Sequence, residues 1–176
     1  MTGVQTCALP IYVEIKNGGH IDARFSISVF AWVLLDNSSG IVYKYERSNY
    51  YGCLMKVYSP ELAVKVRYSS RKIALSYVLY QMNVLKEGAW NFIGTTYDYH
   101  TGLATVFVHN RTVIQRNISK MELGTRYDLM IGAARTGQPM AFRGRISCLQ
   151  VYGQALSVDE IMKIKTRCNH TSESCC

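Results

Sequence analysis

From Phe25 the chain alternates strictly. Phe25, Ile27, Val29, Ala31, Val33 and Leu35 fall on one face of an extended segment, while Ser26 and Ser28 open the other before Phe30, Trp32 and Leu34. The pattern predicts a strand with one face in the core along its full length. Two further runs, Trp90 to Tyr97 and Leu103 to Val108, are rich in aromatic and β-branched residues and flank a short link holding Asp98, His100 and Gly102. That is the signature of an antiparallel hairpin. Trp90 and Phe92 lie on one side of it and Ile93 and Tyr97 on the other, so neither face can be fully solvated and the pair belongs inside a sheet.

The remaining elements follow the same period. Cys53 to Tyr58 and Leu62 to Tyr68 form a hairpin across Ser59-Pro60, with Leu62, Val64, Val66 and Tyr68 turned to the core and Lys65 and Arg67 turned outward. Tyr12 to Ile15, Ile41 to Tyr45, Ile73 to Leu79 and Thr112 to Arg116 read as short strands. Leu129 to Ala134 and Ala141 to Tyr152 close the sheets across a Gly137-Gln138-Pro139 turn. Ser157 and Glu160 make a capping box, and Ile161, Ile164 and Lys165 continue at helical spacing to Arg167. About eleven short strands with one late helix predict an all-β fold: a two-sheet antiparallel β-sandwich of jelly-roll type with one short C-terminal helix.

A chain of 176 residues with 48% hydrophobic content supports a single domain with a sizeable core. Its 20 Lys and Arg against 12 Asp and Glu give a net charge of +8, which favours polyanionic partners. Four N-x-S/T sequons begin at Asn37, Asn110, Asn117 and Asn169. Chance supplies roughly one per hundred residues, so four point to secretory routing. No apolar run reaches the roughly 20 residues a membrane span needs. Residues 1–11 lack a basic n-region and resemble a translated sequencing-adaptor remnant, so the expected domain is 12–167, followed by a cysteine-containing tail at 168–176.

Catalytic signatures are absent from the sequence. Glu14, Glu46, Glu61, Glu87 and Glu122 are isolated, and Asp159-Glu160 belongs to the helix, so no strand carries the carboxylate pair about 5–5.5 Å apart that retaining glycosidases use. His20, His100, His109 and His170 are scattered, with no G-x-S-x-G, H-E-x-x-H or P-loop around them. A zinc site is not expected without a C-x-x-C pair.

The surface chemistry is basic. Lys65 and Arg67 point the same way on one strand, Lys56 neighbours them across the hairpin, and Arg71 and Lys72 extend the row into the next turn. Such a patch suits glycan or another polyanion, sulfated glycan above all. Cys148 shares a strand face with Phe142 and Ile146, and Cys168 ends the helix that folds back over the sheet. A Cys148–Cys168 disulfide would pin that helix, worth about 3 kcal/mol by chain entropy. Cys53 is an alternative partner, and Cys175 and Cys176 are available for links between chains.

The order of short motifs adds a resemblance. YVEIKN, FSISVFAWVLLDNSSGIVYKY, AWNFIGTTYDYHTGLATVFVHN, YDLMIGAA and FRGRISCLQVYGQALSVDEI, in that order across residues 12–167, resemble the laminin G-like jelly roll of the concanavalin A-like lectin/glucanase superfamily, including its pentraxin-type members. The resemblance implies a domain lacking its first strand. It also implies one Ca²⁺ at the loop rim, for which Asp36, Asp98 and Asp128 are the candidate ligands. The reading is a non-catalytic extracellular binding or adhesion module, secreted or on an ectodomain, with a glycan or matrix protein as partner and neither nucleic acid nor membrane insertion. The alternatives are a structural spacer and, last, a glycoside hydrolase. Nothing in the sequence fixes the oligomeric state.

Overall fold

The computed structural model describes residues 12–36, 39–47, 50–133 and 141–167. The segment 1–11, Asn37, the Gly137-Gln138-Pro139 turn and the tail with Cys168, Asn169, His170, Cys175 and Cys176 lie outside the described residues. The described chain forms β1 (Val13–Ile15), β2 (Ile27–Leu35), β3 (Gly40–Arg47), β4 (Tyr50–Tyr58), β5 (Ala63–Ser69), β6 (Ser76–Gln81), β7 (Trp90–Asp98), β8 (Leu103–Val108), β9 (Arg111–Asn117), β10 (Asp128–Ile131), β11 (Gly144–Tyr152) and α1 (Val158–Thr166). Two antiparallel sheets result, one of six strands in the order β1-β10-β3-β4-β5-β6 and one of five in the order β11-β2-β7-β8-β9. This is the predicted β-sandwich.

The core lies between the sheets. Ile27, Val29, Ala31, Val33 and Leu35 of β2 meet Val64, Val66 and Tyr68 of β5, with Ile93 and Tyr97 of β7 in the same cluster. Buried hydroxyls are satisfied inside it, as burial requires. Tyr68 donates to the Thr96 carbonyl at 3.0 Å. The Tyr97 hydroxyl lies 3.0 Å from the Ser119 carbonyl and accepts from the Met121 N–H at 2.8 Å, which ties the connection after β9 to the middle of the five-stranded sheet.

The outer face of that sheet is apolar and covered. Phe30, Trp32, Phe92, Phe107 and Tyr152 point away from the core and receive Leu156, Ile161 and Ile164 from α1 and the segment leading into it. Gly94 makes the packing possible, since it pairs with Phe30 on one side and Phe107 on the other. A Cβ at Gly94 would fall 1.9 Å from the Phe30 ring. The helix starts where the sequence predicts: the Ser157 N–H donates to Glu160 Oε2 at 2.8 Å, and the Glu160 N–H donates to Ser157 Oγ.

Two expectations are corrected. Phe25 is not core: β2 pairs with β7 only from Ile27 opposite Tyr97, so Phe25 lies beyond the last pair, 47% exposed, with its ring edge on Tyr99. The two late strands close different sheets, β10 the six-stranded one and β11 the other. The alternation of β11 also breaks. A register shift between Ser147 and Gln150 places Cys148 in the left-handed region at φ 51, so that Ile146, Leu149 and Val151 pack on the core and Cys148 does not share their face.

Candidate functional site

The basic row lies on the outer face of the six-stranded sheet. The hairpin register puts Lys56 of β4 directly opposite Lys65 of β5, and Lys65 opposite Tyr80 of β6. The next row on the same face runs from Lys44 of β3 through Leu54 and Arg67 to Val78. Opposed residues on one face stand about 4.5–5.5 Å apart at Cβ, and like charges in that position destabilise a sheet. Burial, and then the charges of Lys65, Lys44 and Arg67, hold the Lys56 ammonium below the usual lysine range.

No carboxylate pairs with Lys65 or Arg67 among the described residues. Arg67 Nε is buried and makes no hydrogen bond. Aromatic rings border the cations. Tyr58 and Tyr80 meet edge to face at 5.9 Å, and Tyr80 remains 39% exposed. Lys44 belongs to this cluster although sequence reasoning did not select it. Alternation assigns it there, since Tyr43 and Tyr45 on either side are core, and the one signal was a lysine between two tyrosines in an apolar strand.

The row ends at Arg67. Arg71 forms an ion pair with Asp22, and Lys72 Nζ lies 2.6 Å from Glu122 Oε1, so acids from distant segments neutralise the predicted extension. Arg24 joins Glu122 through Nε at 2.6 Å. These contacts tie the turn after β5 to the segments before β2 and before β10.

The three aspartates do not assemble. Asp36 follows β2, whereas Asp98 ends β7 beside the start of β2, so about 30 Å of strand separates them. Asp98 caps its own turn, accepting from Thr101 Oγ1 at 2.8 Å and the His100 N–H at 3.0 Å. The Thr101 hydrogen bond in particular holds its carboxyl below the usual range. Asp128, in the other sheet, accepts from the Asn17 N–H at 3.0 Å and pairs with Lys16 at 3.2 Å. Among the described residues no group of three or more His, Cys, Asp or Glu could hold a metal. The donor set does not fit Ca²⁺, which takes six to eight oxygens gathered at one point.

Cys148 is disulfide-bonded, and the Cys168 half of the expected bridge lies outside the described residues. Cys53, the alternative partner, is free and buried in the core, its thiol pushed up to about 12 by burial. Asn110 and Asn117 are both exposed, one just before β9 and the other at its end. His20 and His100 are exposed and His109 is half-buried, each in a different part of the fold. No described helix is long and apolar enough to cross a membrane.

A sequence-family model described as the concanavalin A-like lectin/glucanases superfamily matches residues 11–162. The chain belongs to this superfamily. No curated protein matches it in sequence. Solved structures of the lectin-like fold superimpose well at low identity. The carbohydrate-binding module CBM40 of the Ruminococcus gnavus IT-sialidase, solved with α2,3-sialyllactose bound, gives a TM-score of 0.71 at 12% identity, over 86% of this chain and 91% of that one. The NanB sialidase of Streptococcus pneumoniae gives 0.71 at 14% identity, over 87% of this chain but 26% of that one. The heptameric SAP-like pentraxin of Limulus polyphemus gives 0.58 at 13%, covering 84% and 79%. At such identities the likeness establishes the fold, and function has to be argued from the site.

Proposed function

We propose that this protein is a non-catalytic extracellular binding module for acidic glycans, which it holds on the outer face of the six-stranded sheet. The observation that carries the reading is the row itself: Lys65 and Arg67, with no carboxylate partner among the described residues, stand beside Lys56 and the exposed ring of Tyr80. An anionic group placed between Lys56 and Lys65 relieves their repulsion, and the Arg67 guanidinium is suited to a bidentate hold on carboxylate or sulfate. Tyr80 offers a ring face on which a pyranose can stack.

Two features support a secretory setting. The exposed sequons at Asn110 and Asn117 are open to glycosylation, and a disulfide at Cys148 belongs to an oxidising compartment. The similar CBM40, solved with α2,3-sialyllactose bound, supports the reading. The row contains no carboxylate, so it offers neither the acid nor the nucleophile of glycoside hydrolysis.

The test is a glycan array of sialylated, sulfated and neutral oligosaccharides, run with the natural protein and with the Lys65→Glu, Arg67→Glu variant. Saturable binding to acidic members that the variant loses is the expected result. Binding that the charge reversal leaves intact would move the site elsewhere. A protein that binds no glycan is a spacer or a protein-binding module.

A further inference from the structure

A second group of cations lies on the opposite side of the molecule, where the β8–β9 turn, the last turn of α1 and the loop before β7 come together. His109 opens the turn in the left-handed region at φ 56, and its N–H donates to the Phe92 carbonyl at 2.7 Å. Its Nε2 is sealed from solvent and makes no hydrogen bond.

Lys165 reaches across from α1. Its Nζ contacts Asn110 Oδ1 and lies 5.8 Å from the centre of the Trp32 ring. Lys86 and Arg111 are the other neighbours. Burial, followed by the charges of Lys165, Lys86 and Arg111, holds the His109 imidazole below its usual range. None of these three cations forms an ion pair among the described residues. Glu87 is next to Lys86 in sequence but engages none of them, and Glu160 is occupied by Ser157 at the other end of α1. Three cations from three separate elements therefore bear on one imidazole, and no carboxylate among the described residues balances them.

We propose that this cluster is a second anion site, taking a dianionic tetrahedral oxyanion such as inorganic sulfate or a phosphate monoester, with Lys86, Arg111 and Lys165 supplying the charge beside the His109 ring. Two negative charges suit the site better than one, because three cations must be balanced. The site is independent of the basic row, which lies on the other sheet and shares no residue with it.

The experiment is an NMR titration in which sodium sulfate replaces sodium chloride at constant ionic strength, with N-acetylglucosamine 6-sulfate and glycerol 3-phosphate as parallel arms. The expected result is a saturable shift of the His109 ring signals and the Lys165 amide. Lys165→Gln and Arg111→Gln should each weaken it about tenfold, the loss of one charge-assisted contact. Lys165→Arg should retain it, and Lys65→Glu with Arg67→Glu should leave it unchanged. Glycerol 3-phosphate, a dianion, should bind tighter than N-acetylglucosamine 6-sulfate, a monoanion, and the reverse order would overturn the charge match. Shifts that stay linear with concentration, that chloride reproduces, or that survive both glutamine variants would overturn the site. Loss on the Lys65 and Arg67 reversal would show that the basic row had been titrated instead. Circular dichroism of each variant separates a lost site from a lost fold.

Discussion

The two outer faces of this sandwich received opposite treatment. On the five-stranded sheet the outward residues are Phe30, Trp32, Phe92 and Phe107, and a helix covers them. On the six-stranded sheet the outward residues of the hairpin include Lys56, Lys65 and Arg67 beside Leu54, and no described helix lies over them. Both faces come from strands with equally apolar inner faces, so the core does not determine which one is covered. The outward positions do. Bulky rings require a lid to leave water, whereas cations with long aliphatic stems can remain at the surface and attract a ligand.

Removing the lid's support should give the largest effect. Phe92→Ala deletes a fully buried ring that stacks on Phe30 at 5.5 Å and touches Trp32 at 5.3 Å. The expected loss is about 3–5 kcal/mol in urea unfolding, as for buried phenylalanines generally. A loss below about 1 kcal/mol would mean that the helix face does not hold the domain together. Gly94→Ala should be severe for its size, because the added methyl enters the Phe30 ring.

Charge reversal at Lys65 and Arg67 makes the converse case. It should cost the fold little, within about 0.5 kcal/mol, because neither half-buried side chain has an ion pair to lose and the new acids share rows with Lys56 and Lys44. Heparin retention, in contrast, should collapse toward that of a neutral protein. If retention is unchanged, the covered and bare faces do not differ in function. An intermediate effect is expected at the helix cap: Ser157→Ala removes the acceptor for the Glu160 N–H and should destabilise by about 1 kcal/mol in thermal melts. Heparin retention should not change, because the cap belongs to the other face.

How much of this was legible depended on whether a feature was local. The inner face of β2 and the capping box could be read from spacing alone, and the Lys56–Lys65 pairing followed from a short turn that leaves little freedom of register. Phe25 continued the alternation past the point where strand pairing stops, and periodicity carries no mark for that point. The bulge at Cys148 moves a side chain to a face that strict alternation does not assign. Arg71 and Lys72 looked identical in kind to Lys65 and Arg67. Only the fold brings Asp22 and Glu122, some fifty residues away in either direction, to neutralise them. The cations around His109 come from three elements and leave no pattern in sequence at all.

The smallest effect should be one of pH, and its sign distinguishes the basic face from an ordinary surface. Burial and three neighbouring cations lower the folded pKa of Lys56, so between that value and the ordinary lysine value of 10.5 the unfolded chain binds more protons than the native one. Stability should therefore rise slightly with pH through this window, because the penalty for holding a charged Lys56 disappears as it is neutralised. Glycan affinity should fall over the same window as the row loses a charge. Lys65→Ala removes the largest of the neighbouring charges, so it should shift both changes toward higher pH and stabilise the free protein at neutral pH by a few tenths of a kcal/mol. Melting curves and glycan titrations from pH 7 to 10.5 measure the two together. If stability and affinity change in the same direction, Lys56 and Lys65 do not repel across the hairpin, and the anion has no such repulsion to relieve.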